Sequence, residues 1–409
     1  MEPVFVTLKE RGFIEQSTEE ELVKKLLGNR TTCYVGFDAT GKSLHVGHLL
    51  PIMALMHIQR AGHRPIALLG GGTTLIGDPS GKTEARPIIS IDEIKENSRG
   101  ISTQLGRFLD FSDDKGLILN NAEWLINLNY IEFLRDIGRH FSVNRMLTAE
   151  SYKQRLESGL SFLEFNYMLL QAYDYWHLFK KTGCRLQMGG NDQWGNILAG
   201  ADLIRRLESE TVHAITMPLI TTSSGIKMGK THKGAVWLDP NLTSPYDYYQ
   251  FWINQDDRDV GRFLALFTFI PMDEICKLSS LDGADLREAK EVLAMEATAV
   301  CHGKEAAALA REASKKLFGG VDAEGDDSTP AYEIPMEELK AGIQAYILFE
   351  RCGLRPTKSE ARRLISQSGG YANGEQIKTF DQIIDVSSFK DGILLLRAGK
   401  KKFMKIVAK

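Results

Sequence analysis

Three short, continuous apolar runs in the first half of the chain each end in glycine and polar residues. The first spans about Thr31 to Phe37. The second, Pro65-Ile66-Ala67-Leu68-Leu69, runs into Gly70-Gly71-Gly72. The third, Cys184 to Met188, runs into Gly189-Gly190-Asn191-Asp192. Such runs predict strands buried on both faces, as in a parallel sheet. After the first run, a loop of Gly, Asp, Thr and Ser leads into the apolar-periodic segment Leu49–Gln59, so strand, turn and helix are expected there. Pro51 suits the first turn of that helix, where its missing N–H costs nothing. The pattern is that of an α/β fold, whose glycine loops at the carboxyl edge of the sheet can present backbone N–H groups to an anion.

Helical periodicity appears elsewhere. Phe5 to Leu27 reads as helical, with Glu- and Lys-rich faces. Ser161 to Lys180 reads as one helix, apolar nearly all round and therefore buried. On it Tyr167, Gln171 and Asp174 fall at i, i+4 and i+7, a single polar stripe. A buried polar group left unpaired costs about 1–3 kcal/mol, so the stripe either meets other protein groups or lines a small polar pocket. Tyr246–Ile253, Val260–Phe269, Leu286–Cys301 and Lys304–Phe318 predict a helical region. Gly319–Pro330 is acidic and glycine-rich, a linker by composition. Beyond it, Thr357-x-x-Glu360 predicts a capped helix start, with Lys358 and Arg362 on one face and Arg363 close by. Gly369-Gly370 stops that helix, Asn373-Gly374 predicts a hairpin, the last strand is expected to end at Arg397, and Lys400, Lys401 and Lys402 form a basic turn. The divisions expected are 1–220, 221–318, a linker over 319–335, and 336–409.

Composition narrows the class. With 43% hydrophobic and 25% charged residues among 409, the chain reads as an ordinary globular protein of two or three domains. No apolar run reaches the roughly 18 residues of a membrane span, and Met1-Glu2-Pro3 does not open a signal peptide. Five dispersed cysteines without a Cys-x-x-Cys fit free thiols in a reducing cytoplasm and offer no zinc site. The net charge of −3 is unevenly spread. Arg351 to Lys409 holds 13 Lys/Arg against 5 Asp/Glu, a net +8, which leaves −11 on the remainder. A basic tail on an acidic body suits a nucleic-acid-binding appendage, although a solvated basic surface has the same composition.

Two nucleotide motifs overlap at the first strand. Gly36-Phe-Asp-Ala-Thr-Gly41-Lys42-Ser43 satisfies the Walker A pattern. Against that reading, Asp38 would repel the phosphates such a loop cradles, and no strand ending in a magnesium-binding Asp is evident. The second motif is His45-Val46-Gly47-His48. In isolation, two histidines three apart are a satisfied or surface pair, and no third and fourth ligand stands nearby to make them a metal site. Asp78 to Arg86, with Lys82 and Arg86, reads as a Gly/Pro/Ser loop, either solvated or suited to capturing phosphate.

A second stretch far downstream, Lys227-Met228-Gly229-Lys230-Thr231, pairs with His45–His48. Together they resemble the HIGH and KMSKS signatures of the class I aminoacyl-tRNA synthetases. The resemblance narrows to the tyrosyl type found in bacteria. It runs through Gly77–Lys82, Leu186–Gly190, Asp192-Gln193-Trp194-Gly195-Asn196 and Ser244-Pro245-Tyr246-Asp247, and covers nearly the whole chain. It makes the Walker match a coincidence of the loop. Gly229 and Thr231 depart from the generic signature, which has two serines there.

The resemblance implies a Rossmann-like parallel-sheet catalytic domain, a helical domain, and a small α+β RNA-binding domain of a ribosomal-protein type. It implies that tyrosine is activated by ATP, with Mg2+ accompanying the nucleotide, and passed to tRNA(Tyr). It places Thr40, His45, His48, Lys82, Arg86, Lys227, Lys230 and Thr231 at the reacting phosphates. Tyr34 and Asp174 would take the phenolic hydroxyl, and Asp78, Tyr167 and Gln171 the ammonium, with Gln187 close by. Gly36, Asp38, Gly47, Asp192 and Gln193 would join the histidines and Lys230 around ATP and the adenylate. Lys358, Arg362, Arg363, Lys400 and Lys401 would meet RNA. A homodimer through an apolar patch near 129–141 and a cytoplasmic location complete the expectation.

Overall fold

The computed structural model describes residues 4–81, 89–223, 225, 228–231, 234–283, 285–318, 330–389, 392–399 and 402–409. They fall into two compact units, one within Met1–Ser244 and Phe251–His302, the other within Pro245–Gln250 and Gly303–Lys409.

The first unit is built on a six-stranded sheet. Its strands are β1 (Gln16–Ser17), β2 (Thr32–Asp38), β3 (Arg64–Gly70), β4 (Leu117–Asn120), β5 (Leu186–Gly190) and β6 (His213–Met217), in the order β1-β6-β5-β2-β3-β4. All neighbours are parallel except β1, which runs antiparallel to β6 at the edge. The three apolar runs are β2, β3 and β5, and every residue of β3 from Pro65 to Gly70 is buried. From β2 the chain proceeds outward through β3 and β4, then returns to the other side of β2 for β5 and β6. That reversal of strand order opens a crevice at the carboxyl ends of β2 and β5. The register brings the ends together, with Asp38 opposite Gly70 and Tyr34 opposite Gln187.

Three expectations are corrected here. The N-terminal stretch is not continuous helix: Val4–Glu10 and Glu20–Leu27 are separate helices, and between them β1 pairs with β6. The Ser161–Lys180 segment is two helices, Phe162–Phe165 and Tyr167–Thr182, divided at Asn166. Helices over 221–318 do not form a body of their own; those from Val260 to His302 belong to the first unit, Lys304–Phe318 belongs to the second, and Pro245–Ile253 is shared, its residues up to Gln250 falling in the second. The reason for the first grouping is direct packing. The helix Val260–Phe267 lies against Val46–Arg60. The Arg11 guanidinium donates to the carbonyls of Ala265 at 2.8 Å and Thr268 at 2.9 Å. Met272–Ser279 is a further helix that periodicity did not single out.

After the loop that follows β6, Lys230–Thr231 (β7) and Gly234–Ala235 (β8) make a small antiparallel pair. The second unit carries a sheet of β9 (Ala331–Ile334), β11 (Gly370–Ala372), β12 (Glu375–Gln376), β14 (Ile393–Ala398) and β15 (Lys402–Ala408) in the order β12-β11-β14-β15-β9. Ile343–Gln344 (β10) pairs separately with Ile383–Ile384 (β13). Leu348, Phe349, Ile365, Leu394, Leu396 and Ile406 form its core. Thr357 caps the Lys358–Ser366 helix, its hydroxyl accepting from the Glu360 N–H at 3.2 Å. Asn373 and Gly374 make the expected two-residue hairpin at φ 47° and 83°. The chain does not finish its strands at Arg397. β14 continues to Ala398, and β15 returns beside it, its apolar residues masked in the sequence by interleaved lysines.

Among the described residues, no helix is long and apolar enough to cross a membrane.

Candidate active site

At the carboxyl ends of β2 and β5 lies a cavity of about 280 Å³. Tyr34, Gly36, Asp38, Thr40, His48, Asp78, Tyr167, Gln171, Asp174, Gln187, Asp192 and Gln193 all line it. The stripe on the Tyr167–Thr182 helix therefore faces a pocket, and its three residues also meet other protein groups there, so both readings of its spacing hold. Gly36 is exposed although it sits in a central strand, and a Cβ there would meet nothing within 4 Å. The β2 backbone is thus open to a ligand at that point.

A carboxyl and a hydroxyl, Asp174 and Tyr34, are buried in the lining of this cavity. Asp174 is 2% exposed, yet both its oxygens are held. Asn121 Nδ2 donates to Oδ2 at 2.8 Å and Trp124 Nε1 to Oδ1 at 2.7 Å. Burial pushes the Asp174 carboxyl up to about 7, against the lowering effect of these two donors, and the nearby Asp38 charge adds to the rise. The Tyr34 hydroxyl is buried without a hydrogen-bond partner, and burial beside Asp174 pushes its ionisation well above the ordinary tyrosine value. Gln187 Oε1 is likewise buried and unpartnered. Buried polar groups in folded proteins are almost always satisfied, so two orphans in one cavity mark where a polar ligand completes the bonding.

Beside these groups lies a connected polar network. Gln193 Nε2 donates to Asp78 Oδ2 at 2.8 Å, and Asn196 Nδ2 donates to Gln171 Oε1 at 3.0 Å and to Gln193 Oε1 at 3.3 Å. The Tyr167 hydroxyl donates to Asp38 Oδ2 at 3.4 Å, and Thr73 Oγ1 to Asp38 Oδ1 at 3.1 Å. Carboxylates, amides and hydroxyls gathered in this way suit an ammonium ligand.

The site also includes the start of the Val46–Arg60 helix. His45 is its N-cap, its Nδ1 accepting from the Gly47 N–H at 3.0 Å, while His48 Nδ1 accepts from the His45 N–H at 3.2 Å. Each backbone donor occupies Nδ1, which leaves Nε2 as the protonated, donating nitrogen of both neutral rings. Two imidazole donors at the positive end of a helix suit a polyanion.

The downstream signature closes onto this helix start. Val46 N donates to Val236 O at 2.9 Å, and Val236 N to Gly229 O at 3.0 Å. A Cβ at Gly47 would lie 2.7 Å from His45 Cε1 and 3.4 Å from Met228 O, and one on Gly229 only 3.1 Å from Gly47 N. Gly229 also sits at φ 83°, so glycine is required on both sides of the approach. The Lys230 and Thr231 backbones form β7, but their side chains, with Lys227, Lys82 and Arg86, lie outside the described residues.

The Walker reading does not survive. Lys42 lies outside the cavity, its Nζ 3.4 Å from Glu96 Oε1 on an exposed face. The helix begins at Val46, too late for a loop whose lysine opens the first turn.

Comparison with known proteins agrees with this geometry. A family model described as tRNA synthetases class I (W and Y) matches residues 26–319. The chain belongs to this family. Among the synthetases it resembles, a tyrosine–tRNA ligase from Desulfatibacillum aliphaticivorans is 56% identical, over 99% of this chain and 98% of its own. One from Syntrophus aciditrophicus (strain SB) is 55% identical over 98% of each. Of solved structures, a C-terminally truncated Aspergillus nidulans mitochondrial tyrosyl-tRNA synthetase superposes with a TM-score of 0.70 at 32% identity, covering 78% of this chain and 95% of its own.

In this class I synthetase, Asn121, Trp124, Thr73 and Asn196 belong to the site although no spacing pointed to the first three. Asn196 stands one helical turn after Gln193, which was the available signal. In the second unit, Lys358, Arg362 and Arg363 are exposed on one helix. The Arg362 guanidinium stacks on the Tyr346 ring at 4.1 Å. Lys400 and Lys401 lie outside the described residues.

Proposed function

We infer that this chain is a tyrosine–tRNA ligase. It activates tyrosine with ATP and transfers it to the 3′ end of tRNA(Tyr). The observation that carries this reading is the unpartnered Tyr34 hydroxyl buried in the same cavity as the Asp174 carboxylate. A phenolic substrate fits both: its O–H donates to Asp174 while its oxygen accepts from Tyr34. The relatives that match over nearly the whole chain are tyrosine–tRNA ligases, in a family that also covers tryptophan enzymes.

In the first step a tyrosine carboxylate oxygen attacks the α-phosphorus of ATP, and pyrophosphate leaves with the bonding pair. In the second, a terminal ribose hydroxyl of tRNA attacks the carbonyl carbon and AMP leaves. No protein nucleophile is needed, so the chain contributes position and charge stabilisation. We assign Asp78, Tyr167 and Gln171 to the ammonium, with Gln187 completing the tyrosine site. Gly36, Asp38, Gly47, Asp192 and Gln193 face the ribose and adenylate. Thr40 and the Nε2–H groups of His45 and His48 face the phosphates, joined by Lys82, Arg86, Lys227, Lys230 and Thr231. Mg2+ arrives with ATP as part of the substrate.

The part of the second unit from about residue 336 to 409 is the tRNA-binding module, using Lys358, Arg362, Arg363, Lys400 and Lys401. Phosphate neutralisation there makes charging salt-dependent. The exposed apolar residues Tyr130, Ile131 and Leu134 support a homodimer, Ile131 being 70% exposed. The cysteines, all free, fit a cytoplasmic location.

ATP–pyrophosphate exchange with tyrosine, phenylalanine and tryptophan in parallel tests the assignment. Exchange with tyrosine alone supports it; exchange with tryptophan keeps the class I chemistry and overturns the choice of amino acid.

A further inference from the structure

We propose that Tyr152 is a positioning residue for amino-acid binding: its hydroxyl bridges the break before the Tyr167–Thr182 helix and so fixes how Tyr167 enters the cavity. The inference rests on the reading of Tyr167 as an ammonium-binding group.

The break is an interruption of hydrogen bonding. In a continuous helix the Phe165 carbonyl would accept from the Leu169 N–H. Here Leu169 N turns to Asn166 O at 3.1 Å, and Asn166 N to Leu163 O at 3.1 Å, so three-residue bonds flank the break. Asn166 Nδ2 also donates back to Phe162 O at 2.6 Å. The orphaned groups on either side of Tyr167 are taken by one side chain from another helix. The Tyr152 hydroxyl donates to Phe165 O at 2.8 Å and accepts from Met168 N at 3.3 Å.

Tyr152 is held to this task. It is 0% exposed, and its ring lies 5.4 Å from that of Phe165. Three residues on, Arg155 makes a buried pair with Glu164, Nε to Oε1 and Nη2 to Oε2 both at 3.1 Å, and donates to Gly159 O at 3.0 Å. Glu164 in turn accepts from the Ser161 hydroxyl at 2.8 Å. The Glu150–Ser158 helix is thereby locked onto the short helix before the break, and the hydroxyl of Tyr152 cannot drift from it. Without that oxygen, the cheapest repair is for Phe165 O and Leu169 N to close the ordinary helical bond, which rotates Tyr167 away from Asp38.

The test uses the full chain and ATP–pyrophosphate exchange. Tyr152→Phe keeps the ring and removes the bridge. The tyrosine KM is expected to rise about tenfold, with kcat and the ATP KM within about twofold, because an ammonium contact is made equally in the ground and transition states. Placed on a Tyr167→Phe background, the same change is expected to add nothing further. A rise of equal size in both backgrounds would make Tyr152 merely structural and overturn the inference. No rise in Tyr152→Phe, with a rise in Tyr167→Phe, would overturn it while leaving the reading of Tyr167 intact. An unchanged KM in Tyr167→Phe alone would remove that reading and this inference with it. Should Tyr152→Phe not fold, amide exchange of the unaltered chain decides: a protected Met168 N–H is expected, and exchange as fast as an exposed amide would overturn the bridge.

Discussion

Trp124 and Asp174 are joined by a 2.7 Å hydrogen bond from the indole Nε1–H to a carboxylate oxygen that water barely reaches. With Asn121 on the other oxygen, the pair fixes the Asp174 carboxyl in the cavity that Tyr34 also lines. It also restrains a carboxyl that burial has already pushed up to about 7.

Stability should record that rise. An unfolded Asp titrates near ~3.9, so between about pH 4 and 7 the folded state binds more protons than the unfolded one. Asp174 therefore costs stability progressively as pH rises through this window, and the full penalty stands above it. Asp174→Asn is expected to change Tm more favourably at pH 8 than at pH 5, relative to the unaltered chain at each pH. Thermal melts at the two pH values check this; a difference independent of pH would refute the buried titration.

Tyrosine binding should follow the same group in the opposite sense. The ionised carboxylate accepts the phenolic proton, so the tyrosine KM is expected to fall as pH rises through about 7. Asn121→Ala removes a donor that holds the carboxyl down, and the inflection should move to higher pH. A KM-against-pH profile unmoved by that substitution would detach Asn121 from Asp174.

The contact between the two signatures predicts a steric result. A methyl group at Gly47 meets the His45 ring at 2.7 Å, a distance that only displacement of the imidazole can relieve. Gly47→Ala is expected to lower the exchange rate on the order of a hundredfold, the scale of losing one preorganised donor, with the tyrosine KM within about twofold. Lys230→Ala is expected to behave alike. Single-turnover adenylate formation measures both.

Truncation must respect the core beneath the C-terminal sheet, which runs from Ile334 to Ile406. A cut at Arg351 leaves Leu348 and Phe349 without the Leu394 and Ile406 strands that cover them. A chain ending at Phe318 avoids this. It is expected to keep ATP–pyrophosphate exchange and lose tRNA charging. Charging at an undiminished rate would show that the acceptor end needs nothing from the tail.

Much of the site could be read from local pattern. Tyr167, Gln171 and Asp174 announce themselves by helical period, and Tyr34 and Gln187 by lying in apolar runs that end in glycine loops. Asn121 and Trp124 do not, because their only meaning is a partner about fifty residues away across the cavity. The split at Asn166 was hidden for a related reason: the oxygen that stabilises it belongs to Tyr152, outside the helix it divides. β1, two residues long, exists only because β6 offers an edge.

The most direct single test is the preference for tyrosine over phenylalanine in ATP–pyrophosphate exchange, for the unaltered chain and for Tyr34→Phe. An orphaned hydroxyl that pairs with the substrate phenol is worth about 1–3 kcal/mol. The ratio of kcat/KM values for the two amino acids should therefore fall about tenfold in Tyr34→Phe, chiefly through weaker use of tyrosine. A ratio unchanged by the substitution would mean that the phenol does not lie between Tyr34 and Asp174.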